Sequence, residues 1–242
     1  YLKFKYKYFP NHAQVFWAQE LINTPGLSAK MGQIFGQGKK TKPPKRKVVF
    51  STIQKKFEHT FNEKITFDGK AFSASMGQVF FVRIAGNSYA LKCLHPGIKK
   101  KMKGEIKNII RLAGFYAKIK NFSFQEQSFD LFLTHIYEEE TNLKKEHGWQ
   151  KEFFLSSTHK DIPGIKIPNV MTQYSNEEFL CQGRVLCKLA SDLDPQDLII
   201  KGQVNNTIFD FFFSSLFRDS LLHGDLNDRN WGRSDNGDIV IY

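Results

Sequence analysis

The fold of this chain is decided near its end, by the stretch His223-Gly224-Asp225-Leu226-Asn227-Asp228-Arg229-Asn230. An Asp five positions before an Asn, directly after an apolar run with helical spacing, is typical of a phosphoryl-transfer catalytic loop. That chemistry needs a carboxylate beside the attacking oxygen and an amide oxygen at a magnesium ion. The spacing lets Asp225 and Asn230 point into one cleft. A polar turn rich in Asp and Asn is the alternative that these residues alone leave open.

Composition places the chain among ordinary globular proteins. Its 242 residues are 41% hydrophobic and 24% charged, enough for one large domain or two lobes with a real core. The 24 Phe residues predict an aromatic-rich core. The net charge of +11, from 35 Lys and Arg against 24 Asp and Glu, favours a polyanionic partner. Nucleotide phosphates, nucleic acid and an anionic membrane surface all fit, and charge alone does not choose among them.

The cysteines and the apolar runs bear on the compartment. Cys93, Cys181 and Cys187 are few and lack metal-ligand spacing, which predicts a reducing compartment and no zinc site. No run of about 18 apolar residues occurs, so no transmembrane helix is expected. We expect a protein that is cytoplasmic or peripheral to the inner face of a membrane. The chain begins at Tyr1 and stops at Tyr242 within a predicted strand, so we interpret it as a fragment of a longer protein.

The first part of the chain is basic and ends in a linker. Apolar positions at helical spacing within residues 1–22 predict a helix that packs on another element. Lys30 and Gln33 are three apart, so on a helix they share a face, and a solvated face is the alternative reading. Residues 38–47 hold two prolines, which forbid a regular helix. This linker could meet anionic lipid or nucleic acid, although a solvated linker is favoured.

A lysine in an apolar strand follows a run of small residues. Residues 65–92 predict a β-hairpin with turns at 68–70 and 85–88. Small side chains over 71–77 would allow the backbone to approach phosphate oxygens closely. Lys92 would then supply a point charge to the α- and β-phosphates. An edge-strand lysine that guards against aggregation is the alternative interpretation of Lys92.

The remaining pattern alternates helices with short strands. Helices are predicted over 48–62, 98–120, 128–155 and 207–222, and strands over 165–171, 178–186 and 238–242. A partly helical segment is the alternative for 178–186. The helix over 128–155 carries several glutamates, among them Glu140 and Glu146. The polar, turn-rich residues 190–196 are expected to form the hinge between two lobes.

Four blocks of sequence can be compared with a known family. They are Lys30-Met31-Gly32-Gln33, Phe72-Ser73-Ala74-Ser75-Met76-Gly77-Gln78-Val79, Ala90-Leu91-Lys92 and the stretch 223–230. In this order they resemble the UbiB/AarF family, the ubiquinone-associated atypical kinases. The blocks match, in turn, its Lys-x-Gly-Gln signature, its alanine-rich loop, its nucleotide-lysine strand and its His-x-Asp-(four residues)-Asn loop. The likeness spans nearly the whole chain.

The resemblance implies an α+β, two-lobed, protein-kinase-like fold with a helical N-terminal extension and a truncated C-terminal lobe. Residues 1–47 would form the extension, residues 48–190 an N-lobe with the family insertion, and residues 191–242 the start of the C-lobe. Lys30 and Gln33 would reach over the cleft from the extension. In this family that element is thought to restrict protein substrates and to favour ATPase or small-molecule work.

The resemblance also implies ATP and Mg²⁺ as cofactors and assigns roles to the matching residues. Asp225 would orient or deprotonate the acceptor or a water, and Asn230 would coordinate magnesium. Lys92 would hold the α- and β-phosphates, and residues 72–77 would cover the nucleotide. Ubiquinone biosynthesis or homeostasis is implied by the resemblance alone.

A fifth block concerns the partner of the lysine. The family has Glu-x-Asp on a helix, followed by a Glu four residues after that Asp. Glu140, Asn142 and Glu146 fit this spacing, with Asn142 where the family has Asp. The resemblance implies that Glu146 pairs with Lys92 and that Glu140 pairs with Lys30.

Other positions depart from the family or offer rivals. An ordinary protein kinase would place the pairing Glu closer to Lys92, which makes Glu105 the rival. Residues 226–229 read Leu-Asn-Asp-Arg where the family usually has Pro-His-Pro-Gly, and Gly183 falls near where the hinge often carries Glu. The Asp-Phe-Gly-type metal motif should follow Tyr242 and is missing, so this piece alone is expected to be poorly active.

Three other functions are alternatives to a UbiB-type kinase or ATPase. His-Gly-Asp at 223–225 is the form used by aminoglycoside or choline kinases, but Lys-x-Gly-Gln and the Ala/Ser loop argue against that class. A nucleotide-binding pseudokinase is favoured a little by Asn142 and the irregular loop. Specific nucleic-acid binding is not expected, because only net charge and the linker suggest it. The phosphoryl acceptor and the oligomeric state are not specified by the sequence.

Overall fold

The structure is a computed structural model that describes residues 49–74, 76–121, 123–156, 160–193, 198–224, 226 and 230–242. The predicted N-terminal extension lies outside these residues, and so do Ser75 and Asp225. The predictions made for Lys30 and Gln33 therefore stay predictions. In chain order the elements are α1 (Phe50–Phe61), β1 (Ile65–Ser73), β2 (Gly77–Ile84), β3 (Asn87–Leu94), α2 (Ile98–Lys120), α3 (Glu126–Thr141), α4 (Leu143–Leu155), β4 (Ile165–Lys166), β5 (Phe179–Gly183), β6 (Cys187–Leu189), α5 (Leu198–Arg218), β7 (Trp231–Ser234) and β8 (Ile239–Ile241).

The first sheet has four antiparallel strands in the order β1-β2-β3-β5. Along β2, buried residues such as Phe80 and Val82 alternate with more exposed ones, as a half-buried strand requires. Helix α1 packs against this sheet through Ile53 and Phe57, which lie four apart and are 2% and 0% exposed. The Phe57 ring meets Phe179 of β5 edge-on, with centroids 5.6 Å apart, so aromatic contacts fill this core.

The turn predicted at 68–70 is wrong, because β1 continues through these residues. Its pairing with β2 shifts register between Phe67 and Ala71 instead. Gly69, with a φ of 79°, lies in this irregular stretch and has the left-handed backbone that glycine adopts without strain. The chain reverses at residues 85–86, both of which have positive φ, as the tight turn of a β-hairpin requires.

The single helix predicted over 128–155 is also wrong, because the structure has two helices, α3 and α4, in its place. They meet at Asn142, whose φ of −123° and ψ of 91° are extended. The Asn142 side chain accepts a hydrogen bond of 3.0 Å from the backbone N–H of Lys144. The backbone N–H of Leu143 donates to the Glu177 oxygen at 3.0 Å. A local cap and a long-range hydrogen bond thus interrupt the helical pattern.

The second sheet has the strand order β4-β8-β7-β6. Strands β4 and β8 are parallel, whereas the β6–β7 and β7–β8 pairs are antiparallel. Helix α5 contributes Val204 and Phe211 to a core with Ile239 and Ile241 of β8. Phe153 of α4 joins the same core, so α4 takes part in the packing of the second sheet as well.

Residues 184–186 connect the two sheets, since they join β5 to β6. This connection precedes the residues 190–196, and the hinge between lobes predicted there stays a prediction. The helix predicted over 207–222 begins earlier, at Leu198, and ends at Arg218. Among the helices of the described residues, none is long and apolar enough to cross a membrane.

Candidate functional site

Lys92 and Glu146 lie in direct contact although they are 54 residues apart in the sequence. The Lys92 Nζ donates to both carboxylate oxygens, at 2.6 Å to Oε1 and 2.7 Å to Oε2. Lys92 stands opposite Val79 of β2 and Leu180 of β5, so pairing on both sides fixes its backbone. The two side chains are 26% and 40% exposed, which leaves the ammonium within reach of an anionic ligand.

Helix α4 positions Glu146 in its first turn. Asn142 caps this helix through the backbone N–H of Lys144, and the positive end of the helix dipole favours a carboxylate there. Farther along α4, the buried Gln150 donates to the Oε1 of Gln182 at 2.8 Å, which joins the helix to β5. The sequence pattern marks Asn142 only as a departure from the family. An Asn directly before the first residue of a helical pattern is the signal that would have found the cap.

The other candidate carboxylates take different positions. Glu105 lies on α2 and pairs with Lys101, one turn away, at 3.4 Å. Glu140 is half-buried near the end of α3, and its expected partner Lys30 lies outside the described residues. Of the two glutamates considered for Lys92, the structure brings Glu146 to the ammonium.

The small-residue loop packs against strand β3. The Ala74 N–H donates to the Gly77 oxygen, and the His95 N–H donates to the Met76 oxygen, each at 3.0 Å. A Cβ atom on Gly77 would lie 2.1 Å from the backbone oxygen of Cys93, so only glycine permits this approach. The Met76 side chain is 3% exposed and packs in the core, so any contact it makes with a ligand must come from its backbone.

Phe72 and Ser73 lie at the end of β1. Phe72 contacts Phe81, which in turn contacts Arg184, a residue that the sequence analysis did not identify. Phe72 is 42% exposed, and its ring lies edge-on to Phe81 with centroids 5.2 Å apart. The Arg184 guanidinium lies 4.2 Å from the centroid of that Phe81 ring and forms an ion pair with Asp68. Arg184 thereby ties the connection between the sheets to β1 and β2. No local sequence pattern around Arg184 predicts contacts with residues so far away in the chain.

The two ends of the late loop are tied to Tyr242. The Tyr242 N–H donates to the backbone oxygen of Asn230 at 2.9 Å. The His223 Nε2 lies 3.0 Å from the Tyr242 backbone oxygen, and because that oxygen only accepts, Nε2 is the donor. Asp225 lies outside the described residues. The predicted convergence of Asp225 and Asn230 with Lys92 therefore stays a prediction.

Of the side chains predicted for the magnesium site, only Asn230 lies within the described residues. Within the described residues, no group of three His, Cys, Asp or Glu side chains is arranged to hold a metal ion. Asn230 is half-buried and carries an amide oxygen, a ligand type that oxygen-seeking cations accept. The described residues thus fit one ligand of that site, and the loop carboxylate Asp225 lies outside them.

A hollow of about 420 Å³ lies beside the connection between the sheets. It is lined by Phe154, residues 165–169 and residues 183–185. The lining includes neither Lys92 nor Glu146, so this hollow is separate from the ion pair.

The architecture is that of a kinase-like α+β fold, as the sequence predicted. One solved structure with this architecture is the complex of Rv3197 from Mycobacterium tuberculosis with erythromycin. It aligns with a TM-score of 0.59 over 99% of this chain and 57% of that chain, at 20% sequence identity. At this identity the likeness is informative about the fold alone.

The family follows from the sequence match. The model of the ABC1 atypical kinase-like domain matches residues 39–242, so this chain belongs to the ABC1 atypical kinase-like family, and the predicted UbiB/AarF assignment is confirmed. The probable protein kinases UbiB of Yersinia pestis (strain Pestoides F) and Yersinia pseudotuberculosis (serotype O:1b, strain IP 31758) are similar to it. Each is 29% identical over 174 residues, which are 68% of this chain and 31% of the relative. The chain thus spans about a third of the length of these curated relatives.

Proposed function

We propose that this chain is the ATP-binding part of a UbiB-type atypical kinase or ATPase, which transfers the γ-phosphoryl group of ATP to an acceptor or to water. The observation that carries the proposal is the two-pronged contact between Lys92 and Glu146. A lysine held by a carboxylate, on a strand beside a small-residue hairpin, is the arrangement that orients an ammonium toward nucleotide phosphates. The family membership supports the same assignment.

The roles within the proposed site follow from the chemistry of each group. Lys92 binds the α- and β-phosphates, and Glu146 fixes the Lys92 side chain. The backbone of residues 72–77 covers the phosphates. Asp225 orients the acceptor or a water, and Asn230 supplies an amide oxygen to magnesium. Bound Mg²⁺ would offset the charge that develops on the transferred phosphoryl group.

The proposal extends to the wider setting of this activity. The resemblance and the name UbiB of the relatives favour a role in ubiquinone biosynthesis or lipid homeostasis. A peripheral position at a membrane, an anionic lipid partner and contact of Lys30, Gln33 and Glu140 with the cleft belong to the same proposal. The division at residues 47 and 190 into extension, N-lobe and C-lobe is also retained as a proposal.

The test is ATP binding by the full-length protein in the presence of Mg²⁺, with a lysine variant and a matched control. Lys92→Ala should weaken binding by about 10- to 100-fold, because it removes charge-assisted hydrogen bonds to phosphate. Lys99→Ala removes a surface lysine that pairs with Glu177 at 3.4 Å, and it should change affinity less than twofold. Equal affinity of the wild-type protein and Lys92→Ala would contradict the proposal.

A nucleotide-binding module without turnover is the second candidate. The sequence Leu-Asn-Asp-Arg at 226–229 favours this candidate, because it replaces the Pro-His-Pro-Gly sequence that is usual in the family. Asp225→Asn separates the two candidates. A measurable ATP turnover that falls at least about 100-fold in this variant, with binding retained, identifies the enzyme. ATP binding by the wild-type protein with no turnover above background would favour the binding module.

A further inference from the structure

Tyr242 joins the late loop to the connection between the two sheets. Its backbone bonds to Asn230 and His223, at the two ends of the loop. Its side chain extends in another direction, with the hydroxyl 3.0 Å from the Cys187 Sγ and 3.5 Å from the Val185 backbone oxygen. Val185 belongs to the connection, and Cys187 begins β6. One half-buried phenol therefore bridges the connection and the end of β8.

The position of this phenol matters because of where Lys92 stands. Lys92 lies opposite Leu180 of β5, and Val185 follows Leu180 by five residues. Five residues span at most about 18 Å, so the connection is within the reach of an extended nucleoside triphosphate that is held at Lys92. With phosphates at Lys92, the base of the nucleotide would reach toward the backbone groups of the connection. A base-binding slot needs a flat apolar wall and a few backbone hydrogen-bonding groups. The Tyr242 side chain supplies a ring whose hydroxyl lies 3.5 Å from one such backbone group, the Val185 oxygen.

We propose that the Tyr242 side chain fills the base-binding slot when no nucleotide is bound, so that it acts as a gate that ATP must displace. The inference rests on the proposed function, because it needs a nucleotide at Lys92. In the closed state, the hydroxyl engages the Val185 carbonyl and the Cys187 thiol. Opening breaks those contacts and moves the ring. The apparent affinity for ATP is reduced by the fraction of molecules in which the gate is closed.

The contact is one between neutral groups. Burial, followed by the hydrogen bond with Cys187, raises the pKa of the Tyr242 hydroxyl, and burial raises the pKa of the Cys187 thiol. Both groups therefore stay protonated at neutral pH. A hydrogen bond between neutral groups is modest in strength, which suits a latch that a tightly binding ligand can open.

The experiment measures the dissociation constants of ATP and ADP, with Mg²⁺, for the full-length protein and three variants. Tyr242→Phe keeps the ring and removes the latch, so it should tighten binding about 2- to 10-fold. Tyr242→Ala removes the ring as well and should tighten binding further. Cys187→Ala removes one of the two partners of the hydroxyl and should tighten binding less than Tyr242→Phe, because the Val185 oxygen remains. The test therefore does not depend on a single variant that folds.

Tyr89→Phe is the matched control. Tyr89 lies on β3 opposite Gly183 of β5, and its ring packs 6.3 Å from that of Tyr174. The same loss of a hydroxyl at this position should leave the affinity within twofold. The control separates a specific effect of the latch from a general effect of removing a tyrosine hydroxyl near the connection.

Two results would overturn the gate. Weaker binding in Tyr242→Ala would mean that the ring is a platform for the base, and unchanged binding in all three variants would mean that the ring lies outside the slot. Repeating each measurement with Lys92→Ala distinguishes this failure from failure of the proposed function. If ATP binds in a Lys92-dependent way and the variants do not tighten it, the gate alone fails. If no Lys92-dependent binding occurs even in Tyr242→Ala, the proposed function fails with it.

Discussion

The two halves of the candidate site are held by different means. Lys92 and Glu146 sit on a strand paired on both sides and on a capped helix, so regular secondary structure fixes them. The late loop is instead held at its two ends by the Tyr242 backbone, whose N–H donates to the Asn230 backbone oxygen and whose oxygen accepts from the His223 Nε2. The first half therefore depends on the folding of the first sheet and of helix α4. The second half depends on the position of one residue at the end of β8.

The largest effects are expected in the cores beneath the two halves. Phe57 under the first sheet and Phe211 under the second are both 0% exposed. Phe57→Ala and Phe211→Ala should each lower the free energy of unfolding by about 3–5 kcal/mol, since each leaves a cavity the size of a ring. Denaturant unfolding of the full-length protein, followed by circular dichroism, gives this quantity.

The same experiment shows whether the two halves unfold together. Phe217→Ala is the control, because this ring is 77% exposed and its loss should change stability by less than about 0.5 kcal/mol. If Phe211→Ala splits the unfolding curve into two transitions, the two sheets unfold as independent units, which strengthens the contrast between the two halves of the site. If Phe217→Ala costs as much as Phe211→Ala, the description of this core is wrong.

A second prediction concerns one glycine in each sheet. A Cβ on Gly77 would lie 2.1 Å from a backbone oxygen, whereas a Cβ on Gly232 would lie 2.7 Å from the Lys188 oxygen and 2.8 Å from the Cys187 Sγ. The nearest atom is a backbone oxygen in both cases, which cannot yield as a side chain can, and the approach at Gly77 is the closer of the two. Gly77→Ala should therefore cost about 3 kcal/mol or more, and Gly232→Ala about 1–3 kcal/mol.

Thermal and denaturant unfolding of both variants measure these costs. Gly104→Ala on α2 is the control, since nothing lies within 4 Å of its Cβ position. There alanine should stabilise the helix by about 0.5–1 kcal/mol, because it restricts the unfolded chain and favours helix. A larger cost for Gly232→Ala than for Gly77→Ala would reverse the proposed difference in tightness between the two sheets.

A third prediction concerns the cap that places Glu146. Asn142→Ala removes the hydrogen bond to Lys144 and should lower stability by about 1 kcal/mol, while Asn142→Asp retains a good cap and should cost little. ATP affinity should fall with Asn142→Ala and recover with Asn142→Asp. Asn206→Ala, on the exposed surface of α5, should not destabilise the protein. Equal stability of Asn142→Ala and the wild-type protein would show that α4 starts without this cap.

These elements also show what the sequence could and could not predict. Helices α1 and α2 were predicted nearly to their ends, because their apolar spacing is local information. The pairing of Lys92 with Glu146 came from the family resemblance, since no local pattern joins residues so far apart. The break at Asn142 was missed because it depends partly on Glu177, far away in the sequence. Strand β6 was missed because its three residues are too few to show a period.

The contacts of Tyr242 were beyond sequence reasoning for a related reason. Its partners Val185 and Cys187 lie in one stretch of chain and His223 in another, and only the assembled second sheet brings them together. The irregularity at Gly69 is the opposite case. An Asp-Gly pair signals a turn, but pairing with β2 on both sides of it keeps the strand continuous.

The smallest expected effect on stability is that of the ion pair itself. Both side chains of the Lys92–Glu146 pair are partly exposed, so solvent screens their attraction. A double-mutant cycle of Lys92→Ala and Glu146→Ala should therefore give a coupling energy of about 0.2–1 kcal/mol in unfolding. The pair would then serve the orientation of the ammonium more than the stability of the fold, and its loss should be felt chiefly in nucleotide binding.

The chain offers a matched pair for comparison. Lys145 and Glu139 also lie 2.6 Å apart, with side chains 41% and 39% exposed. The same cycle on this pair should give a similar coupling energy in unfolding but no change in ATP affinity. A coupling energy above about 2 kcal/mol for Lys92 and Glu146 alone would place the pair among the buried, structure-determining ones. The first half of the site would then be held by its own ion pair, as the late loop is held by Tyr242, and the contrast between the two halves would disappear.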